Sequence, residues 1–177
     1  MSPRFDAVFV DRDGTLNVSA PEGAYITSPD DVVLIEGVGP AMRQLNEAGI
    51  SVYVVTNQRG VARGVMSSEE VAAVNAQLIA LLGEFGAVVD GIYVCPHEID
   101  ACDCRKPKPG LLLQCVADHP HLDLSRSVMI GDVESDIAAG LAAGTQTIRV
   151  DEGLTPTAAQ YTVPDLAAAV EVVLSKG

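Results

Sequence analysis

Four short apolar runs in this chain each stop abruptly at polar residues, and helix-like stretches lie between them. Ala7–Val10 ends at Asp11 and Asp13, residues 50–55 at Thr56 and Asn57, residues 88–94 at Cys95, and residues 127–130 at Gly131 and Asp132. Short β-branched and aromatic runs of this length suit strands buried on both faces. Between them the period changes to that of a helix. Val38, Ala41, Met42 and Leu45 follow one another at helical spacing around Pro40, a first-turn position, and Gly49 ends the segment. Ser67 stands three before Glu70, a capping-box start, and an apolar stripe follows through Val71, Val74, Leu78, Leu81, Leu82 and Phe85. Further helices are expected from Pro109, through Ile137 and Leu141 to Gly144, and over 166–175, with a fifth strand over 145–150. Strand–helix alternation of this kind predicts an α/β fold: a doubly wound, mainly parallel sheet with helices on both faces, three layers in all.

That topology carries a consequence for function. Ligands of such sheets bind outside the carboxyl ends of the strands. Asp11, Asp13, Thr56, Cys95 and Asp132 are far apart in sequence, yet the fold rule gathers them at one rim. The length, 177 residues, suits one domain over 1–177. A chain of this size buries about 70% of its unfolded surface and needs no disulfides. The net charge of −13 argues against nucleic acid and anionic membranes as partners. No terminal stretch reads as a signal peptide and no apolar run is long enough for a membrane span, so a cytoplasmic location is expected. A monomer is expected as well.

Two carboxylates at the end of a buried strand are costly as bare charges. Asp11 and Asp13, two apart, project to one side of an extended chain. With Thr56, Lys106 and Asp132 they form a set with a mechanical logic. Three acids can hold one hard cation, and Mg2+ characteristically takes few carboxylates together with waters and phosphate oxygens. A carboxylate can also act as a nucleophile and form an aspartyl-phosphate. Metal, lysine and hydroxyl would then offset its repulsion from the phosphate. The bland alternative, acids that merely cap helices and turns, suits Asp132 or Asp136 alone better than the whole set.

A second constellation is Cys95, His97, Cys102 and Cys104 within residues 95–104. Two soft pairs and a short spacer suit tetrahedral Zn2+, with all four positions filled by protein and hence a structural role. A disulfide or idle core thiols are the alternatives. Arg105 and Lys106 follow at once, so a zinc there would anchor the chain that delivers these cations. Cys115, among Leu111, Leu112 and Val116, reads as core packing, and His119 and His121 carry no assigned role.

Asp11-Arg12-Asp13-Gly14-Thr15, Thr56-Asn57-Gln58, Arg105-Lys106-Pro107 and Gly131-Asp132 with Asp136 resemble, in order and at strand ends, the four motifs of the haloacid dehalogenase superfamily. The resemblance spans residues 5–150. It implies Asp11 as nucleophile and Asp13 as general acid, then base. Thr56 and Lys106 would grip the phosphoryl group, and Asp11, Asp132 and the Asp13 carbonyl would bind Mg2+, with Asp136 in support. The zinc loop is similar to that of the branch holding heptose-bisphosphate 7-phosphatases and histidinol-phosphate phosphatases. Residues 56–64 and Gly23 with Tyr25 resemble the heptose enzymes. The short spacer 98–101 is closer to the histidinol-phosphate enzymes, and Val133 replaces a frequent lysine. The resemblance thus implies a small phosphorylated sugar as substrate, first of all a heptose bisphosphate.

The interval between Asp13 and Thr56 leaves no room for a cap domain, so loops 18–30, 59–66 and 96–108 must shape the pocket. Asn57, Gln58, Arg59, Arg63, Arg105, Gly23 and Tyr25 are the candidate substrate contacts, guanidinium groups being suited to oxyanions. Three rival classes remain. A phospho-accepting receiver lacks the Asp-x-Asp-Gly-Thr start, a DNA-end phosphatase is opposed by the charge, and a zinc-stabilised binding module has no need of all the rim acids.

Overall fold

The computed structural model describes residues 5–153 and 155–176. Strands β1 (Ala7–Val10), β2 (Ser51–Asn57), β3 (Gly91–Cys95), β4 (Ser127–Gly131), β5 (Gln146–Val150) and β6 (Tyr161–Val163) form one sheet. Their order is β3-β2-β1-β4-β5-β6 and all neighbours run parallel. Helices α1 (Val38–Glu47), α2 (Ser68–Gly83), α3 (Gly110–Asp118), α4 (Glu134–Ala143) and α5 (Leu166–Ser175) cover its faces. The doubly wound α/β sheet expected from the strand–helix alternation is the one observed.

The alternation of side chains along each strand divides the core into two. On one face Val8, Val10, Val52 and Val54 meet Met42 and Leu45 of α1, Leu78 of α2 and Val170 of α5. On the other, Phe9, Tyr53, Val55 and Met129 meet Leu111, Leu112 and Cys115 of α3 and Ala139 of α4. Burying one such side chain contributes roughly 1.5–3 kcal/mol. Cys115 is core, as its neighbours implied.

Several boundaries differ from the expected ones, each for a local reason. α1 begins at Val38, two residues before Pro40, behind a left-handed Gly37. Pro40 is harmless there because first-turn N–H groups have no helical partner. β3 begins at Gly91, not at residue 88. Asn46 clips both backbone groups of Val88, and the Asp90 carboxylate accepts from Val52 N at 2.7 Å, so side chains pre-empt the ladder. α2 ends at Gly83, which puts Phe85 beyond the stripe; its ring lies against Gly39, where a Cβ would come within 2.3 Å of it. β6, three residues long at the sheet edge, carries no periodic signal and was not expected.

β1 occupies the middle of the sheet, and the chain leaves it to β2 on one side while β4 lies on the other. Val10 is level with Val54 and Ile130. Asp11 N donates to Ile130 O at 3.0 Å, so the chain stays in the sheet until the carboxylate. This is the switch point at which open α/β sheets present ligand sites.

Candidate active site

Lys106 is the hub of the rim. Its chain segment comes from the loop after β3, and the residue is 3% exposed. Nζ lies 2.7 Å from Asp11 Oδ1, 2.6 Å from Asp136 Oδ1 and 2.8 Å from Val55 O. The backbone at Lys106 is held by Asn57, whose amide group donates to Lys106 O and accepts from Lys106 N, both at 3.1 Å. Asn57 thus clasps the loop, while one N–H and one oxygen lone pair of its amide remain for a further partner.

Asp11, Asp132 and Asp136 each offer a carboxylate oxygen, all within 4.8 Å of one another. Burial raises Asp11 to about 6, against the lowering pull of Lys106 and with further raising by Asp136. Burial and the Asp11 charge take Asp132 to about 6 as well. Lys106 is raised although burial opposes it, because Asp11 and Asp136 favour its charged form. Three carboxylates facing one ammonium leave an excess of negative charge in a partly dry site. That donor set, oxygen only, fits a hard divalent cation.

Two glycines let these carboxylates approach. A Cβ at Gly14, where φ is +85°, would lie 2.2 Å from Asp132 Oδ2, and one at Gly131 would lie 2.2 Å from Asp136 Oδ2. Thr15 Oγ1 donates to Asp132 Oδ1 at 3.0 Å. Asp136 also accepts from Val133 N at 3.2 Å, so it caps α4 while it braces Lys106.

Asp13 is held apart from this cluster. Its Oδ1 accepts from Arg12 Nε at 3.2 Å and Asn17 Nδ2 at 3.0 Å; its Oδ2 accepts from Arg12 Nη2 at 3.0 Å and Gln58 Nε2 at 2.8 Å. Gln58 Nε2 also reaches Thr56 Oγ1 at 2.9 Å, which seats the buried Thr56 hydroxyl beside the rim. The side chain of Gln58 thus serves Asp13 and Thr56.

The remaining predicted contacts lie on the loops around the rim. Arg63 hydrogen-bonds Tyr25, which raises its guanidinium further. Tyr25 packs its ring on Gly60, so loops 18–30 and 59–66 meet. Gly23 is exposed on the first of these. Arg59 pairs with Glu98 of the loop after β3. Arg105 Nη1 is buried with no hydrogen-bond partner.

Cys95, His97, Cys102 and Cys104 converge, their ligand atoms all within 4.8 Å. Cys95 Sγ lies 3.6 Å from Cys102 Sγ and 3.7 Å from His97 Nδ1, and Cys104 Sγ lies 3.3 Å from Cys102 Sγ and 3.2 Å from His97 Nδ1. Ligands of a tetrahedral zinc sit about 3.5–3.8 Å apart, given the usual metal–ligand lengths. The group has that size and softness. Its thiols are already split electrostatically: Cys102 is lowered to about 6, where hydrogen bonds from Cys104 and the backbone overcome burial, while burial pushes Cys104 up to about 12.

Sequence reasoning missed the supports. Arg12, 1% exposed, enters the sequence reading only as a member of the motif from Asp11 to Thr15; Asn75, on α2, accepts from Arg12 Nη1 at 2.9 Å. The available signal was Asn75 itself, a polar residue at helical spacing within the apolar stripe of Val71, Val74 and Leu78.

The fold and the rim together define a class, the hydrolases of the haloacid dehalogenase type. The HAD-hydrolase-like family matches residues 103–172. Over 149 residues the chain is 42% identical to D-glycero-β-D-manno-heptose-1,7-bisphosphate 7-phosphatase of Haemophilus ducreyi, covering 80% of each chain. It is 37% identical to the Escherichia coli K12 enzyme of the same name over 169 residues, 89% of this chain and 86% of that one. The D,D-heptose 1,7-bisphosphate phosphatase of B. bronchiseptica, solved with magnesium and phosphate, superposes with a TM-score of 0.87 at 31% identity, covering 98% of this chain and 100% of that one. The chain belongs to this family of heptose-bisphosphate phosphatases within the haloacid-dehalogenase-like hydrolases.

Proposed function

We propose that the chain is a Mg2+-dependent phosphatase that removes the C7 phosphate of D-glycero-D-manno-heptose 1,7-bisphosphate through an aspartyl-phosphate. The observation that carries this reading is kinship over four-fifths of the chain with an enzyme of that name, in a chain that keeps the whole rim. The magnesium and phosphate of the B. bronchiseptica relative support the same chemistry.

In the first half-reaction a carboxylate oxygen of Asp11 attacks phosphorus. The bond from phosphorus to the sugar oxygen breaks, and Asp13 gives its proton to the departing oxygen. In the second, Asp13 takes a proton from water as the water oxygen attacks phosphorus. The bond to Asp11 breaks, releasing inorganic phosphate and the free carboxylate. Lys106 and Thr56 face the phosphoryl oxygens, and Asp136 keeps the Lys106 ammonium in place. Mg2+, held by Asp11, Asp132 and the Asp13 carbonyl, would offset the charge on those oxygens. Zn2+ at Cys95, His97, Cys102 and Cys104 would be structural. Arg105, Arg59 and Arg63 with Tyr25 would meet the rest of the sugar bisphosphate. The chain is proposed to act as one capless domain and as a monomer.

The test is phosphate release with Mg2+ from heptose 1,7-bisphosphate and from histidinol phosphate. A clear preference for the heptose compound is expected, with turnover abolished in Asp11→Asn. Preference for histidinol phosphate would overturn the substrate, and full turnover by Asp11→Asn would overturn the mechanism.

A further inference from the structure

Arg12 is the largest fully buried side chain among the described residues, and its charge has two partners. Nε and Nη2 fork onto the two oxygens of Asp13, its own neighbour in sequence, while Nη1 donates to Asn75 Oδ1 on α2. A planar guanidinium with three N–H groups so committed is fixed in position and in plane. Asn17 and Gln58 add one donor to each Asp13 oxygen. The orientation of Asp13 thus depends on a side chain that is itself anchored on a helix outside the rim.

We propose that Arg12 and Asn75 are positioning residues for proton transfer: Asn75 fixes Arg12, and Arg12 fixes the place and plane of the Asp13 carboxyl group from which the proton leaves. This rests on the reading of Asp13 as general acid. For Asp13 to carry a proton, one oxygen must give up its contact with Asn17 or Gln58, while the Arg12 fork can keep the group in place. In the first half-reaction the bond from phosphorus to the leaving oxygen breaks and that proton ends on the leaving oxygen. Misalignment of Asp13 therefore slows departure of an alkoxide, which needs the proton. It leaves departure of a nitrophenolate or a carboxylate, which needs none, nearly unchanged. Arg12 and Asn75 are buried, and neither belongs to the cluster of rim carboxylates.

The choice of variant follows from the surroundings. Asn75 borders a cavity of about 190 Å3 with Val71, Val94 and Pro96, so alanine would admit water to replace the lost acceptor. Asn75→Leu keeps the branched shape, the adjoining cavity having room for its extra volume, and removes the acceptor. Arg12→Lys keeps the charge and loses the fork. The reading is kcat/KM, which covers events up to departure of the leaving group, for heptose 1,7-bisphosphate beside p-nitrophenyl phosphate and acetyl phosphate, with Asp13→Asn alongside. Asn75→Leu and Arg12→Lys are expected to lower kcat/KM for the sugar phosphate at least about tenfold and for the activated phosphates by less than about threefold, the same bias as Asp13→Asn in smaller degree. Equal loss on all substrates, or none, in Asn75→Leu would overturn the proposal while Asp13→Asn keeps its bias. Absence of the bias in Asp13→Asn would overturn the general-acid reading and this inference with it. If wild type prefers histidinol phosphate, only the substrate reading falls, and the contrast is read with that alkyl phosphate instead.

Discussion

At the scale of single residues the rim is a problem of crowding as much as of charge. Gly14 combines a positive φ with carboxylate oxygen where a Cβ would be. Gly14→Ala must strain the turn and push Asp132 away from Thr15 and Asp11. The expected result is a loss of roughly 100-fold in kcat, the cost of about 1 Å of misplacement, with a higher Mg2+ concentration at half-maximal activity. An unchanged Mg2+ requirement would show that Asp132 is not a ligand. Lys106 illustrates the complementary point. Its ammonium sits in a buried site only because Asp11 and Asp136 repay its desolvation. Asp136→Asn removes one of these charges without changing shape, and a lower kcat with little change in KM is expected from steady-state rates.

At the scale of elements, the loop between β3 and α3 has few apolar residues of its own, yet it carries Arg105 and Lys106. Two fastenings hold it: the Cys95–His97–Cys102–Cys104 group and the paired hydrogen bonds from Asn57 at the end of β2. Stripping metals with a strong chelator is expected to abolish activity while the helical circular dichroism of α1 to α5 persists. Mg2+ alone should not restore turnover, whereas Zn2+ followed by Mg2+ should. Recovery with Mg2+ alone would remove the zinc from the account. Asn57→Ala opens the second fastening and is expected to lower kcat about tenfold through displacement of Lys106, measured with zinc content unchanged. If Asn57 instead bound substrate, the loss would appear mainly in KM.

Over the whole molecule, the strained electrostatics of the rim should be visible in stability. Burial raises both Asp11 and Asp132 from their ordinary range to about 6. A raised carboxyl binds its proton more tightly folded than unfolded. Its contribution is fully present below the ordinary carboxylate range and is lost as pH rises through about 6. The metal-free protein should therefore unfold at a lower temperature at about pH 7 than at about pH 5, because two unpaid charges then sit in the site. Mg2+ binds the ionised form, so its stabilising effect should be larger at the higher pH. A calorimetric midpoint that Mg2+ shifts equally at both pH values would count against these carboxylates as its ligands. Among the described residues no helix is long and apolar enough to cross a membrane.

Strand–helix alternation was enough to derive the sheet, because short β-branched runs and helical periods are local properties of the chain. The rim acids were legible too, since a fold rule places strand ends together and polar residues at those ends stand out against the apolar runs before them. The cysteine–histidine cluster was legible from spacing alone. Other things were decided only in three dimensions. β6 exists because an edge of β5 was open to it, not because three residues specify a strand. Asn57 looks like a ligand contact in sequence, and the fold adds a clasp on the Lys106 backbone that the sequence does not show. Arg12 is an ordinary surface residue on composition grounds; it is buried because Asp13 on one side and Asn75 on the other satisfy its guanidinium. Asn75 leaves a trace in sequence, a polar residue within the apolar stripe of α2, but which side chain it meets is decided only in the fold. The sequence determined which chemistry is present, and the tertiary structure decided which side chains are free to perform it and which are held in place to support them.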